Sequence, residues 1–150
     1  MRPLFAVMTC LAAARALAGQ SRWDRQVDAR LAQAAATLGH AYRSGGVAGR
    51  GSLNTGESLI FSLTLPAGAA TVLTGVCDDD CAALELSVST NGYEVAAARG
   101  SGNAPIVRLI PAASTAYTVT ARMASCRVNP CWFAVGVFRP AVTAPHPPAR

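Results

Sequence analysis

The spacing of apolar residues changes period once along the chain. From Ser21 to about Tyr42, Trp23, Val27, Leu31, Ala34 and Leu38 recur at intervals of four, four, three and four. That spacing puts them on one stripe of a helix. Ser21 stands where it can cap the first turn, with Asp24 three residues on, as in a capping box. Alanine is abundant here and favours helix, while Gly39 loosens the last turn. The stripe either packs on the rest of the chain or meets another protein. In the second case Trp23, Val27, Leu31 and Leu38 are the partner-binding residues.

The stretch Gly45-Gly46-Val47-Ala48-Gly49-Arg50-Gly51 reads as a flexible linker. It is no phosphate loop, because no Lys-Ser/Thr follows and the next element is a strand. Beyond it the period becomes two. Leu59, Phe61, Leu63 and Leu65 alternate with Ser58, Ile60, Ser62 and Thr64, which describes a half-buried strand. Thr71 to Val76 is β-branched and apolar on both faces, as an inner strand would be. Leu84 to Ser89 and Tyr93 to Ala97 flank Asn91-Gly92, a strong hairpin signal. Ile106 to Ile110, Tyr117 to Met123 and Trp132 to Phe138 complete about seven short strands. Their spacing predicts an all-β fold, an antiparallel sandwich over residues 52–139. No helical period interrupts them, which argues against a parallel α/β sheet. Residues 140–150 carry Pro140, Pro145, Pro147 and Pro148 and read as a disordered tail.

The N-terminus adds a destination. Arg2, an apolar run from Leu4 to Ala14 and Ala16-Leu17-Ala18 form the three parts of a secretory signal peptide over residues 1–18, with Gly19 as the first mature residue. The apolar run is too short to span a bilayer, so no stable membrane span remains after cleavage. An uncleaved anchor and a lipoprotein at Cys10 are the alternatives, the latter lacking a small residue before the cysteine. All 13 basic residues are Arg. Without Arg2 and Arg15, 11 face 8 acidic residues, a net charge of +3. They are scattered, whereas nucleic-acid binding needs a concentrated basic face.

Four cysteines follow the leader: Cys77, Cys81, Cys126 and Cys131. An even number in an exported chain implies disulfides. Of the three pairings, Cys77–Cys81 and Cys126–Cys131 are favoured, because each pair brackets a turn-like stretch and would pin a hairpin end. A zinc site of four thiolates is the competing use, with spacings slightly wide for it.

The β region resembles the bacterial pre-peptidase C-terminal (PPC) domain family over Gly51 to about Arg139. The matching pieces are Gly51-Ser52-Leu53, Gly56-Glu57-Ser58, Phe61-Ser62-Leu63, Leu84-Glu85-Leu86, Asn91-Gly92 and Ala116-Tyr117-Thr118-Val119. The Cys-Asp-Asp-Asp-Cys loop, Met123-Ala124-Ser125-Cys126 and Pro130-Cys131-Trp132 are similar to a cysteine-bearing branch of that family. The resemblance implies a jelly-roll-like β-sandwich, here as a stand-alone copy behind a helix, of a kind often appended to secreted proteases. The branch usually has Asp-Leu-Asp-Leu where this chain has Ala83-Leu84-Glu85-Leu86, which weakens any calcium site carried over from it. Thr115-Ala116 also replaces the usual Gly before the Tyr strand, at little cost beyond turn geometry.

Candidate chemistry is sparse. Asp78, Asp79 and Asp80, with Glu85 nearby, are the one acidic cluster, and Asp78, Asp80 and Glu85 are the candidate calcium ligands. The competing reading is a solvated acidic turn. His40 and His146 lie outside the β region, so it has no imidazole to serve a nucleophile. Glu57, Glu85 and Glu94 fall on separate elements, which leaves no carboxylate pair for hydrolysis. Trp132, Phe133, Tyr93, Tyr117 and Trp23 could form a stacking platform for sugars. The sequence therefore predicts a non-catalytic, exported accessory or interaction module of the periplasm or medium, whose partner is another exported protein. A carbohydrate- or calcium-binding module is the alternative, and an enzyme the third reading.

Overall fold

The computed structural model describes residues 21–100 and 102–141. The expected signal peptide, and the tail beyond Ala141 with His146, lie outside the described residues.

The helix α1 runs from Arg22 to Leu38. Ser21 caps it, its Oγ accepting from the Asp24 N–H at 3.2 Å and donating to the Asp24 carboxylate at 2.9 Å. Gly39, at φ +74°, ends it. The chain then enters a strand instead of continuing the helix to Tyr42. The strands are β1 (Tyr42–Leu53), β2 (Ser58–Leu65), β3 (Thr71–Cys77), β4 (Cys81–Thr90), β5 (Tyr93–Ala98), β6 (Ile106–Leu109), β7 (Thr115–Cys126) and β8 (Cys131–Pro140).

They form two four-stranded sheets, β1-β8-β3-β6 and β2-β7-β4-β5. Every pairing is antiparallel. That order is a jelly roll, in which consecutive strands cross between the sheets except at one hairpin. The hairpin is β4–β5, turning at Asn91 and Gly92, both with positive φ. The inner faces meet in one core. Leu73, Val107, Phe133 and Val135 come from the first sheet, and Leu84, Leu86, Val119 and Met123 from the second. β2 follows its alternation, with Phe61 opposite Val119 and Leu63 opposite Tyr117 on the inner face.

The Gly-rich stretch 45–51 is a strand, not a linker. It lies within β1 and pairs with β8 from Tyr42 opposite Pro140 to Leu53 opposite Cys131. Close packing explains its composition. A Cβ on Gly49 would lie 2.6 Å from Phe61 Cε1, too near for any other residue without a shift. Two register shifts, between Ser44 and Gly46 and between Val47 and Gly49, break what alternation remained. Pro140 likewise belongs to β8, and the Ala141 N–H donates to Ala41 O at 2.8 Å, so the ordered domain extends past the expected boundary at 139.

Both expected disulfides are present, Cys77–Cys81 and Cys126–Cys131. Neither pins a hairpin end. Cys77 ends β3 in one sheet and Cys81 begins β4 in the other; Cys126 and Cys131 join β7 to β8 in the same way. Cys81 is the register partner of Cys126, so both bridges bolt the two sheets together at one end of the sandwich.

The helix lies on the outer face of the β1-β8-β3-β6 sheet. Val27, 1% exposed, is buried against Val76 and Ala134, with Leu31, Ala34 and Trp132 around them. Gly136 makes the approach possible, since a Cβ there would sit 2.7 Å from Leu31 Cδ1 and 2.9 Å from Phe138 Cε2. β3 and most of β8 are consequently buried on both faces.

Candidate functional site

The acidic turn between β3 and β4 is a structural joint. Asp78 is fully buried. Its backbone N–H donates to Trp132 O at 3.0 Å, and its carboxylate accepts from the Trp132 N–H at 2.8 Å and the Asp80 N–H at 3.2 Å. Loss of solvent pushes its carboxyl above the ordinary value. The Trp132 hydrogen bond opposes that rise, and the neighbouring Asp80 charge adds to it. Asp79 faces outward and pairs with Arg30 of α1. Arg30 also donates to Cys77 O at 2.6 Å and Asp78 O at 3.2 Å, and Gln26 Oε1 accepts from the Asp79 N–H at 3.2 Å. The turn is thus a socket for the helix.

The structure does not bring the three calcium candidates together. Asp78 turns into backbone donors, while Glu85 lies on β4 and accepts from Arg122 of β7 at 3.2 Å. Among the described residues, no group of three His, Cys, Asp or Glu side chains is placed to hold a metal ion. Glu57 accepts from the Asn54 N–H at 2.7 Å, and Glu94 pairs with Arg99, so each of the three glutamates has its own local partner.

The aromatic platform does not form either. Phe133 and Tyr117 are core residues, the Tyr117 hydroxyl donating to Ala113 O at 3.2 Å. Trp132 is half-buried beside the helix, and Trp23 lies under the Arg22 guanidinium at 3.7 Å. Tyr93 stands exposed at the start of the edge strand β5. Alternation along β8 separates Trp132 from Phe133 because they lie on opposite faces.

The partner-binding stripe is mostly spent on the chain itself. Val27 is enclosed, and Trp23, Leu31 and Leu38 are partly covered. A second clamp holds the opposite flank of the helix: Arg50 of β1 pairs with Asp28 and reaches Asp24 at 3.5 Å. These acids are four residues apart on one helix face, which lets one guanidinium span both.

A larger concave feature lies beside the helix. Between α1 and the β3–β6 side of the sheet lies an open cleft of about 570 Å³. Ala34, Leu38, Val76 and Ile106 give it apolar walls, and Tyr42 lies at one end. Thr74 lines it from β3. It is 1% exposed, and its hydroxyl has no hydrogen-bond partner within the described residues. Arg108 lines it from β6, and no acidic side chain among the described residues pairs with it. Among the described residues, no carboxylate lines the cleft. Sequence reasoning missed both residues. The available signals were a hydroxyl inside the apolar run Thr71–Val76 and an arginine between Val107 and Leu109.

No family model and no curated protein matches this chain.

Proposed function

We propose that the protein is an exported, non-catalytic accessory module of the pre-peptidase C-terminal kind, which works by binding another exported protein. The observation that carries this reading is the contrast between the two outer faces. One is partly covered by α1, which packs on β3 and β8. The other, on the β2-β7-β4-β5 sheet, is open and rich in small hydroxyls: Ser62 opposite Thr118, and Thr118 opposite Ser89, with Ile60 beside them at 66% exposure. The charges nearest to these hydroxyls and Ile60 are already paired, Glu85 with Arg122 and Glu94 with Arg99, so a partner can cover this face without stripping lone charges of water. Two disulfides at the sheet crossings suit an oxidising compartment. Export with its cysteines oxidised would deliver this surface as a rigid plate.

The test is to express the chain in a bacterial host of its native type, crosslink it after export and compare what is captured. The reading expects one recurrent protein with the wild type and with Ala32→Arg, on the exposed side of the helix. That capture should be lost with Ile60→Arg. Recovery of the wild type alone, or capture indifferent to Ile60→Arg, would overturn it.

A further inference from the structure

We propose that the cleft between α1 and the outer face of the β1-β8-β3-β6 sheet binds a small organic carboxylate with an apolar body. The inference stands on the cleft alone and does not need the partner-binding face. Thr74 is directly opposite Ile106, and Val72 opposite Arg108. Since Thr74 and Val72 are two residues apart, they share a face, and Arg108 is the diagonal neighbour of Thr74 on it. A ligand head group lying between them meets a buried hydroxyl and a guanidinium that has no acidic partner among the described residues.

The chemistry selects an anion. Among the described residues, the lining holds two arginines and no acid. Arg30 is already engaged by Asp79 and two backbone carbonyls, which leaves Arg108 as the charge for a ligand. A guanidinium matches a carboxylate bidentately, and charge-assisted bonds of this kind are the strong ones. A buried hydroxyl left unpaired is disfavoured, and a turn of the Thr74 side chain toward the cleft would let Oγ1 donate to a carboxylate oxygen there. Beyond the head group, Ala34, Leu38, Val76 and Ile106 offer an apolar bed for an aliphatic chain. The volume of about 570 Å³ lies within the range of small-molecule sites.

The probe is octanoate, titrated into the purified exported protein and followed by the methyl resonances of Thr74, Val76 and Ile106. The proposal expects saturable shifts confined to these residues and their neighbours on α1, with octan-1-ol binding about tenfold more weakly. Arg108 is exposed, so Arg108→Gln should fold normally and should weaken octanoate by at least about tenfold. Thr74→Val keeps the shape, removes the orphan hydroxyl and should weaken octanoate several-fold while raising the melting temperature of the free protein. No saturable shift at low-millimolar octanoate, equal binding of octanoate and octan-1-ol, or undiminished binding in Arg108→Gln would overturn it.

Discussion

The carboxylate of Asp78 is removed from solvent and holds two backbone N–H groups, one of them on β8. Replacing it with Ala leaves those donors without acceptors, so Asp78→Ala should cost about 3 kcal/mol in denaturant unfolding. Its pH dependence has a defined sign. Burial raises its carboxyl above the ordinary value of 3.8. Between that value and the folded one, the folded state keeps a proton that the unfolded state has lost. Stability from this group therefore falls as pH rises through that window and is flat above it. In Asp78→Asn the component is absent. The stability difference between wild type and Asp78→Asn should narrow as pH rises through the window, read by urea unfolding at several pH values. Glu57 and Glu94 shift the opposite way, lowered by Asn54 and Arg99 respectively, but both proteins share them and their effect cancels. The run of three aspartates was legible in the sequence as one cluster. Its division of labour was not, because the Trp132 backbone that claims Asp78 is 54 residues away.

Each element was legible to the extent that its side chains carried the pattern. The helix and most strands follow from spacing of 3.6 or two, and β3 from its unbroken apolar run. β1 does not, because four glycines occupy it between Gly45 and Gly51 and a missing side chain leaves no alternation to read. Glycine there reports a close neighbour, Phe61, which only tertiary structure supplies. The same logic applies at Gly136, under the helix. Gly136→Ala pushes against Leu31 and Phe138 and should cost about 1–3 kcal/mol. Val27→Ala empties the contact with Val76 and Ala134 and should cost about 2 kcal/mol. Both are measured as a shift in the unfolding midpoint. An undocked, partner-facing helix would show no Val27 effect and only the Phe138 share of the Gly136 effect.

At the scale of the molecule, the jelly-roll order puts β3, β4, β7 and β8 at one end, where the polypeptide twice changes sheets and each change is closed by a disulfide. In the chain-entropy picture, a bridge across so short a loop restricts the unfolded state by about 2 kcal/mol. Cys77→Ser with Cys81→Ser should lower the unfolding free energy by about that amount while the fold persists. The pairing could be read from the sequence because both partners are near neighbours. What the bridges join could not, since that depends on which sheet each flanking strand enters. The same ordering decides the function proposed here: α1 covers part of one outer face and frames the cleft, leaving the other face open. Native-state hydrogen exchange on the full disulfide-bonded chain tests that arrangement most directly. The account predicts that the Gly49 and Gly51 amides of β1 and the Val27–Leu31 amides of α1 are protected alongside those of β8. Exchange of either segment at the rate of an unstructured chain would contradict it and return the helix to the role of a free arm on a flexible linker.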